Sequence, residues 1–422
     1  MIISYMPISF EDLLFRAESQ YLKERGRQWK IYSDHKKIPQ MIDIWVASHM
    51  NLVNDIFPKW FLSSISSTAR KFFLSYPSHH QTDFWLEAEA ATFVNNNCGT
   101  NLSKNNISIY SGVYWSYSML GVLWIAQGYK KIFIAELVNQ TYKSCFSALW
   151  YEVIEISCHV DGLVCIKDFI HKAEIYPWEV KYFYLNHSRW GAINQTYFEH
   201  MADVLEEFKI TCLYDADVLV TSHDNITLPY LPLLVPKFFD HAIVLYNLTK
   251  EISLPGLRIG IGMAPENLTL QIRKYQSTIL QMMPPPNRFF AQMAFKNVNI
   301  NKAKEVLHHR ICKICSVFKS LWWDVSRPCM WVNVFLDTPP SFSGKLHAAD
   351  ELFVFHLMKS AKLLVSPSSI RWSSISNAFR IVACQPESVY EQVLNRLVEH
   401  NINYNMQFPI GLEESLTDSL SI

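Results

Sequence analysis

Five short apolar runs, spaced by helix-length segments, limit what this chain can fold into more than anything else in it. They are KIFIAEL (131–137), VIEISC (153–158), VKYFYLN (180–186), ITCLYDADVLV (210–220) and AIVLY (242–246). Runs of this length, rich in β-branched and aromatic residues, read as strands buried on both faces. The segments CFSALWY and QTYFEHMADVLEEF between them read as helices. A strand, a helix and a strand in that order imply a right-handed parallel crossover.

At 422 residues the chain is long enough for a large core and two domains. Its 38 basic and 38 acidic side chains cancel, which excludes the basic surface that a nucleic-acid or anionic-membrane partner requires. No apolar run approaches the ~20 residues of a membrane span. The N-terminus carries Glu11 and Asp12 early and lacks the basic start of a signal peptide. Nine scattered cysteines, an odd number, point to reduced thiols and a cytoplasmic protein.

The stretch HAIVLYNLTKEISLPGLRIGIG (241–262) carries the chemistry. A buried strand stops at Asn247, Lys250 follows, and a Pro255-Gly256 turn aims Arg258 back toward the same place. Gly260 and Gly262 leave room for close backbone packing. An amine and a guanidinium so placed suit a ligand bearing both an aldehyde and a phosphate. Read alone, the stretch is also compatible with a surface lysine and a structural turn. The spacing Lys–x4–Pro-Gly–x–Arg–x–Gly resembles the pyridoxal-phosphate lysine motif of the fold-type I aminotransferases (class I/II), with Lys250, Pro255, Gly256, Arg258 and Gly260 on the pattern.

That resemblance extends over about residues 40 to 400 and implies roles for further positions. Ser111, Gly112 and Val113, between a strand and an apolar helix, match the phosphate loop; a helix start is an anion site, although such turns recur in α/β proteins. Tyr142 matches the aromatic that stacks on the pyridine ring, or is a core tyrosine at a helix start after a loop ending in Thr141-Tyr142. Asp215 matches the aspartate that keeps the pyridine nitrogen protonated, or caps a loop. Tyr76 is the candidate for a hydroxyl that reaches the phosphate of the neighbouring subunit, and Asn247 stands where a serine usually contacts phosphate. Arg380, in a Phe-Arg-Ile strand, matches the arginine that forks onto the substrate α-carboxylate; in isolation it would read as a surface ion pair.

The chain also departs from the family. Its Asn-Pro-Thr-Gly reads Ser188-Arg189-Trp190-Gly191, so Ser188, or Asn186 nearby, takes the phenolic-oxygen position, and Val218 stands where a tyrosine is usual. Glycines usual in the N-terminal arm and after Tyr76 are replaced near Ser48-His49 and by His79-His80. Cys312 and Cys315, beside His308 and His309, lack a second ligand pair and read as helix-face residues, so no metal is expected.

The resemblance implies an α/β protein of PLP-transferase fold type I. A large domain with a mostly parallel central sheet would be joined by a smaller α+β domain formed by both termini. The expected boundaries are an arm and part of the small domain over 1–60, the cofactor domain over 61–290 and the C-terminal small domain over 291–422. The acidic tail after Gly411 is expected to be mobile. The implied activity is that of a PLP-dependent, aminotransferase-like enzyme on an α-amino acid, with Lys250 as the catalytic Schiff-base lysine, in a homodimer and in specialised metabolism. The altered cofactor shell leaves elimination, cyclisation or oxidation open, and a catalytically silent homologue with a binding role is the alternative from another class.

Overall fold

A computed structural model describes residues 42–43 and 85–420, apart from 139, 160–162, 186–193, 218–229, 249–253, 280–284, 326–332 and 370–376. The expected strands form. In chain order they are β1 (Ile42–Asp43), β2 (Ile107–Tyr110), β3 (Lys131–Ala135), β4 (Glu152–Ile156), β5 (Val180–Leu185), β6 (Thr211–Asp217), β7 (Ala242–Tyr246) and β8 (Gly260–Met263). Then follow β9 (Asn333–Asp337), β10 (Leu363–Leu364), β11 (Ser366–Pro367) and β12 (Ala378–Val382).

Seven strands make the central sheet, in the order β2-β8-β7-β6-β5-β3-β4. Only β8 runs against its neighbours; β3 to β7 pair in parallel, and β2 is antiparallel to β8. β2 and β7 are wholly buried, as apolar runs between helical layers must be. The exception is the edge strand β4, whose exposed Glu152 and Glu155 are held by Lys131 at 3.3 Å and Lys143 at 2.8 Å. Charges along an exposed edge discourage further strand pairing.

Strand order fixes where loops can meet. From β3 the chain moves outward to β4, then returns to the other side of β3 for β5, β6 and β7. Connections leaving β3 and β5 therefore diverge and open a crevice at the C-terminal edge of the parallel strands. Because β8 is reversed, its first residue lies on that same edge: Gly260 pairs with Tyr110, the last residue of β2.

A second, three-stranded sheet runs β11-β12-β9, wholly antiparallel. Nearby, β1 from the start of the chain pairs in parallel with β10, Ile42 opposite Leu363, so both ends of the chain contribute to this part. Val334, Leu336, Phe379 and Ile381 turn into a core shared with helices Ile300–Ser320 and Ala349–Ala361.

Two expectations are corrected. The tail is not loose: Leu412–Leu420 is a helix that buries Leu412 and Leu416, and Glu413 accepts the Leu346 amide at 2.7 Å. Two leucines four apart share one helix face, and their burial outweighs the acidic composition. Thr141 and Tyr142 do not end a loop; they lie in the first turn of helix Gln140–Ala148.

The tightest backbone approach in the central sheet lies at the start of β8. A Cβ on Gly260 would sit 2.6 Å from the Val113 amide nitrogen and 2.8 Å from the Gly112 carbonyl carbon. Both are backbone atoms and cannot swing aside. Gly260→Ala should therefore cost about 1–3 kcal/mol in a urea melt. Gly256→Ala, where nothing lies within 4 Å of the new carbon, should stay within about 0.5 kcal/mol of wild type.

Candidate active site

Residues singled out in the sequence converge on the C-terminal edge of the parallel strands. At its β2 end, the chain turns at Ser111-Gly112 into helix Val113–Ala126. Gly112 takes φ +90° and also abuts Arg258: a Cβ there would lie 2.9 Å from Nη2. No side chain caps this helix, so its positive end faces the turn, and Ser111 is exposed beside it. Arg258, at φ +51°, lies two residues before the reversed strand, which is how it reaches the turn that follows β2. A guanidinium and a helix N-terminus on one glycine turn form a cradle for a dianion such as phosphate.

Further along the edge, Asp215 lies near the end of β6, only 2% exposed. Register slips between Asp215, opposite Leu245, and Asp217, opposite Tyr246, so one extra residue kinks the strand next to the carboxylate. Tyr117, from helix Val113–Ala126, donates its hydroxyl to Asp215 Oδ2. Tyr184, from β5, donates to the same oxygen at 3.1 Å. Burial first, and then the charge of Asp215, hold the Tyr117 hydroxyl well above the usual phenol range, so it stays protonated and donates.

Tyr142 stands beside this pair, its ring centroid 4.8 Å from that of Tyr117 and 5.1 Å from that of Tyr184. It is half-buried, in the first turn of the helix after β3. Asn247 follows β7 on the same edge.

Arg380 comes from the second sheet. It lies opposite Phe335 on β9 and Ser366 on β11, and opposed antiparallel residues share a face. Phe335 packs with Leu137 and Cys158, which follow β3 and β4, so that face looks onto the C-terminal edge of the central sheet. Arg380 is 3% exposed and donates through Nη1 to Asn333 Oδ1 at 3.4 Å. It is not a surface ion pair.

The structure thus brings Gly112, Val113 and Arg258 together, places Asp215 with Tyr142, and directs Arg380 to the same edge. Tyr76, Ser188 and Lys250 lie outside the described residues, as do Ser48, His49, His79, His80, Asn186 and Val218. Tyr117 and Tyr184 were not singled out in the sequence. Tyr117 is the fifth residue after Gly112 in an apolar helix, and no local pattern says that this helix crosses above β6. Cys312 is exposed, with Sγ 3.5 Å from the His308 ring, and among the described residues no three His, Cys, Asp or Glu side chains gather as a metal site.

No protein-family profile matches the sequence, and no curated protein matches it at the level of sequence. Solved structures do. The fold is the α/β fold of aminotransferase structures, fold type I, and the resemblance expected from the lysine motif holds at that level. Apo-BacF from Bacillus subtilis is similar at 15% identity and TM-score 0.77, covering 95% of this chain and all of the other. An aminotransferase from Staphylococcus aureus aligns at 14% identity and TM-score 0.72 (87% and 95% of the two chains). Aspartate aminotransferase from Thermotoga maritima aligns at 13% identity and TM-score 0.73 (93% and 99%).

The hairpin that carries Arg380 is tied down by a buried acid. Asp350 Oδ2 accepts the Ser369 amide at 2.6 Å, just past β11. Burial pushes the Asp350 carboxyl up from 3.8 to about 6. A folded-state value above the unfolded one means that the native chain binds this proton more tightly, so the group favours folding as pH falls through 6 and the benefit is lost above it. The stability difference between wild type and Asp350→Asn, read from urea melts, should move by about 2 kcal/mol in favour of wild type from pH 7 to pH 4.

Proposed function

We propose that this chain is a pyridoxal-phosphate-dependent enzyme acting on an α-amino acid, aminotransferase-like in its chemistry. The observation that carries the reading is the placement, on one sheet edge, of a buried carboxylate and a glycine–arginine anion cradle. The residues fit the cofactor at both of its ends. Gly112 and Gly260 are positions that a Cβ would fill, and Arg258 lies against the turn where a phosphate would sit. Asp215, which accepts two hydroxyl donors, would face a protonated ring nitrogen. Tyr142 would cover one face of the ring.

When bound, the cofactor supplies an aldehyde that captures the substrate amine and a ring that accepts electrons from Cα. The chain does the rest. Lys250 would hold the cofactor through its amine and then move the proton at substrate Cα. Arg258 and the amides after Gly112 would anchor the phosphate. Arg380, directed at the edge from the second sheet and steadied by Asn333, would fork onto the α-carboxylate and exclude water there. The fold similarity to aminotransferases supports transamination as the reaction, and a role in specialised metabolism belongs to the same proposal.

We also propose a homodimer in the cytoplasm. Tyr114 and Trp115, 43% and 48% exposed beside Ser111, give a second copy an apolar surface next to the phosphate turn. No disulfide joins the eight described cysteines, and no described helix is long and apolar enough to cross a membrane.

Purified protein incubated with pyridoxal phosphate should turn yellow, and borohydride should fix the cofactor to the chain. Lys250→Ala should fold and lose the fixed adduct; wild type that remains colourless refutes the reading. Arg380→Ala should weaken amino-acid binding by about 2–5 kcal/mol, as when one partner of a buried charge pair is removed. Cofactor affinity should not change. Equal weakening of an amino acid and of its decarboxylated amine would place the carboxylate elsewhere.

A further inference from the structure

The two hydroxyls on Asp215 are an unusual commitment for a fold to make. Tyr117 and Tyr184 come from different elements, helix Val113–Ala126 and strand β5, yet both donate to the single oxygen Oδ2. Both rings are fully buried, and they pack edge-to-face, centroids 5.3 Å apart. An acid that served only to satisfy these hydroxyls would be a costly way to fill a core. Two donors on one oxygen match the lone pairs of an ionised carboxylate and fix its rotation about the side-chain bond. The other oxygen then has a set direction.

We propose that Tyr117 and Tyr184 are positioning residues that hold Asp215 ionised and aim its Oδ1 at the ring nitrogen of the cofactor. The proposal rests on the cofactor reading above and adds to it a mechanism for keeping a desolvated acid charged. Hydrogen bonds to the charged form favour that form, opposing the burial that would neutralise it. The Tyr117 hydroxyl can do this at all working pH values, because burial and the Asp215 charge raise it well above its usual range. Among the described residues, Tyr142 packs on Tyr117 and Tyr184, and Tyr214 lies on the same strand as Asp215, also held well above the phenol range by burial. Across β7, Asp215 faces Leu245, which offers no charge.

The test compares pyridoxal phosphate with its carbocyclic analogue, which keeps the aldehyde and phosphate but has CH in place of the ring nitrogen. Dissociation constants are measured by absorbance titration on the full chain from mildly acid to mildly alkaline pH. Wild type is set beside Tyr117→Phe, Tyr184→Phe and the double variant. Without the donors, Asp215 loses its charge at higher pH. The acid limb of pyridoxal-phosphate binding should therefore move up by about one pH unit in the double variant, a loss of about tenfold on the acid side that fades toward alkaline pH. Binding of the analogue should be unchanged in its pH dependence. If the double variant does not fold, Tyr184→Phe alone should show a smaller shift in the same direction. Equal losses for both ligands at every pH, or no loss for either, would reduce the tyrosines to packing and overturn the proposal. A wild type that binds neither ligand overturns the cofactor reading, and this proposal falls with it; a wild type that binds both with normal affinity while the variants show no shift overturns the proposal alone.

Discussion

One reversed strand makes the candidate site possible. Were β8 parallel to its neighbours, its first residue would lie at the far edge of the sheet, a strand length away from the turn after β2. Running antiparallel between β2 and β7, it starts where they end, with Gly260 against Tyr110 and Ile261 against Tyr246. The start of β8 then presses against the first residues of helix Val113–Ala126, with no space for a side chain at Gly260. Arg258, two residues earlier, falls on Gly112 as a consequence. Backbone contact at Gly260 thus brings the guanidinium to the helix N-terminus.

The same edge carries a guanidinium at one end and a carboxyl group at the other, in different surroundings. At the β2 end, Arg258 is exposed and an uncapped helix adds positive potential, so an anion would be drawn in from water. At the β6 end, Asp215 is buried and accepts two tyrosyl hydroxyls on one oxygen. A ligand with a phosphate at one end and a protonated nitrogen at the other would be oriented by this polarity before any specific bond is made. The second sheet completes the arrangement by turning the face that carries Arg380 toward the edge, with Phe335 packed on Leu137 and Cys158.

Much of this was legible in the chain. The spacing from Lys250 to Gly260 identified the tight turn and the close approach of β8, because only glycine leaves that space. Asp215 was legible as a carboxylate near the end of an apolar strand. The tail was misread: composition suggested mobility, whereas Leu412 and Leu416, one helical turn apart, reach the core. Periodicity carried the better signal than charge there, since two buried leucines outweigh solvated acids on the opposite face.

The sequence by itself determined the elements and their order, because hydrophobic period and turn chemistry act over a few residues. It also determined which residue types could do chemistry at the ends of those elements. Only the tertiary structure decided which of them meet. Tyr117 and Tyr184 lie 98 and 31 residues from Asp215 along the chain, and nothing local to either tyrosine refers to a carboxylate. Their meeting depends on β5 lying beside β6 and on a helix crossing above, which are outcomes of packing the whole sheet. A hydrogen bond requires position within a few tenths of an ångström, and that precision exists only once the core has closed.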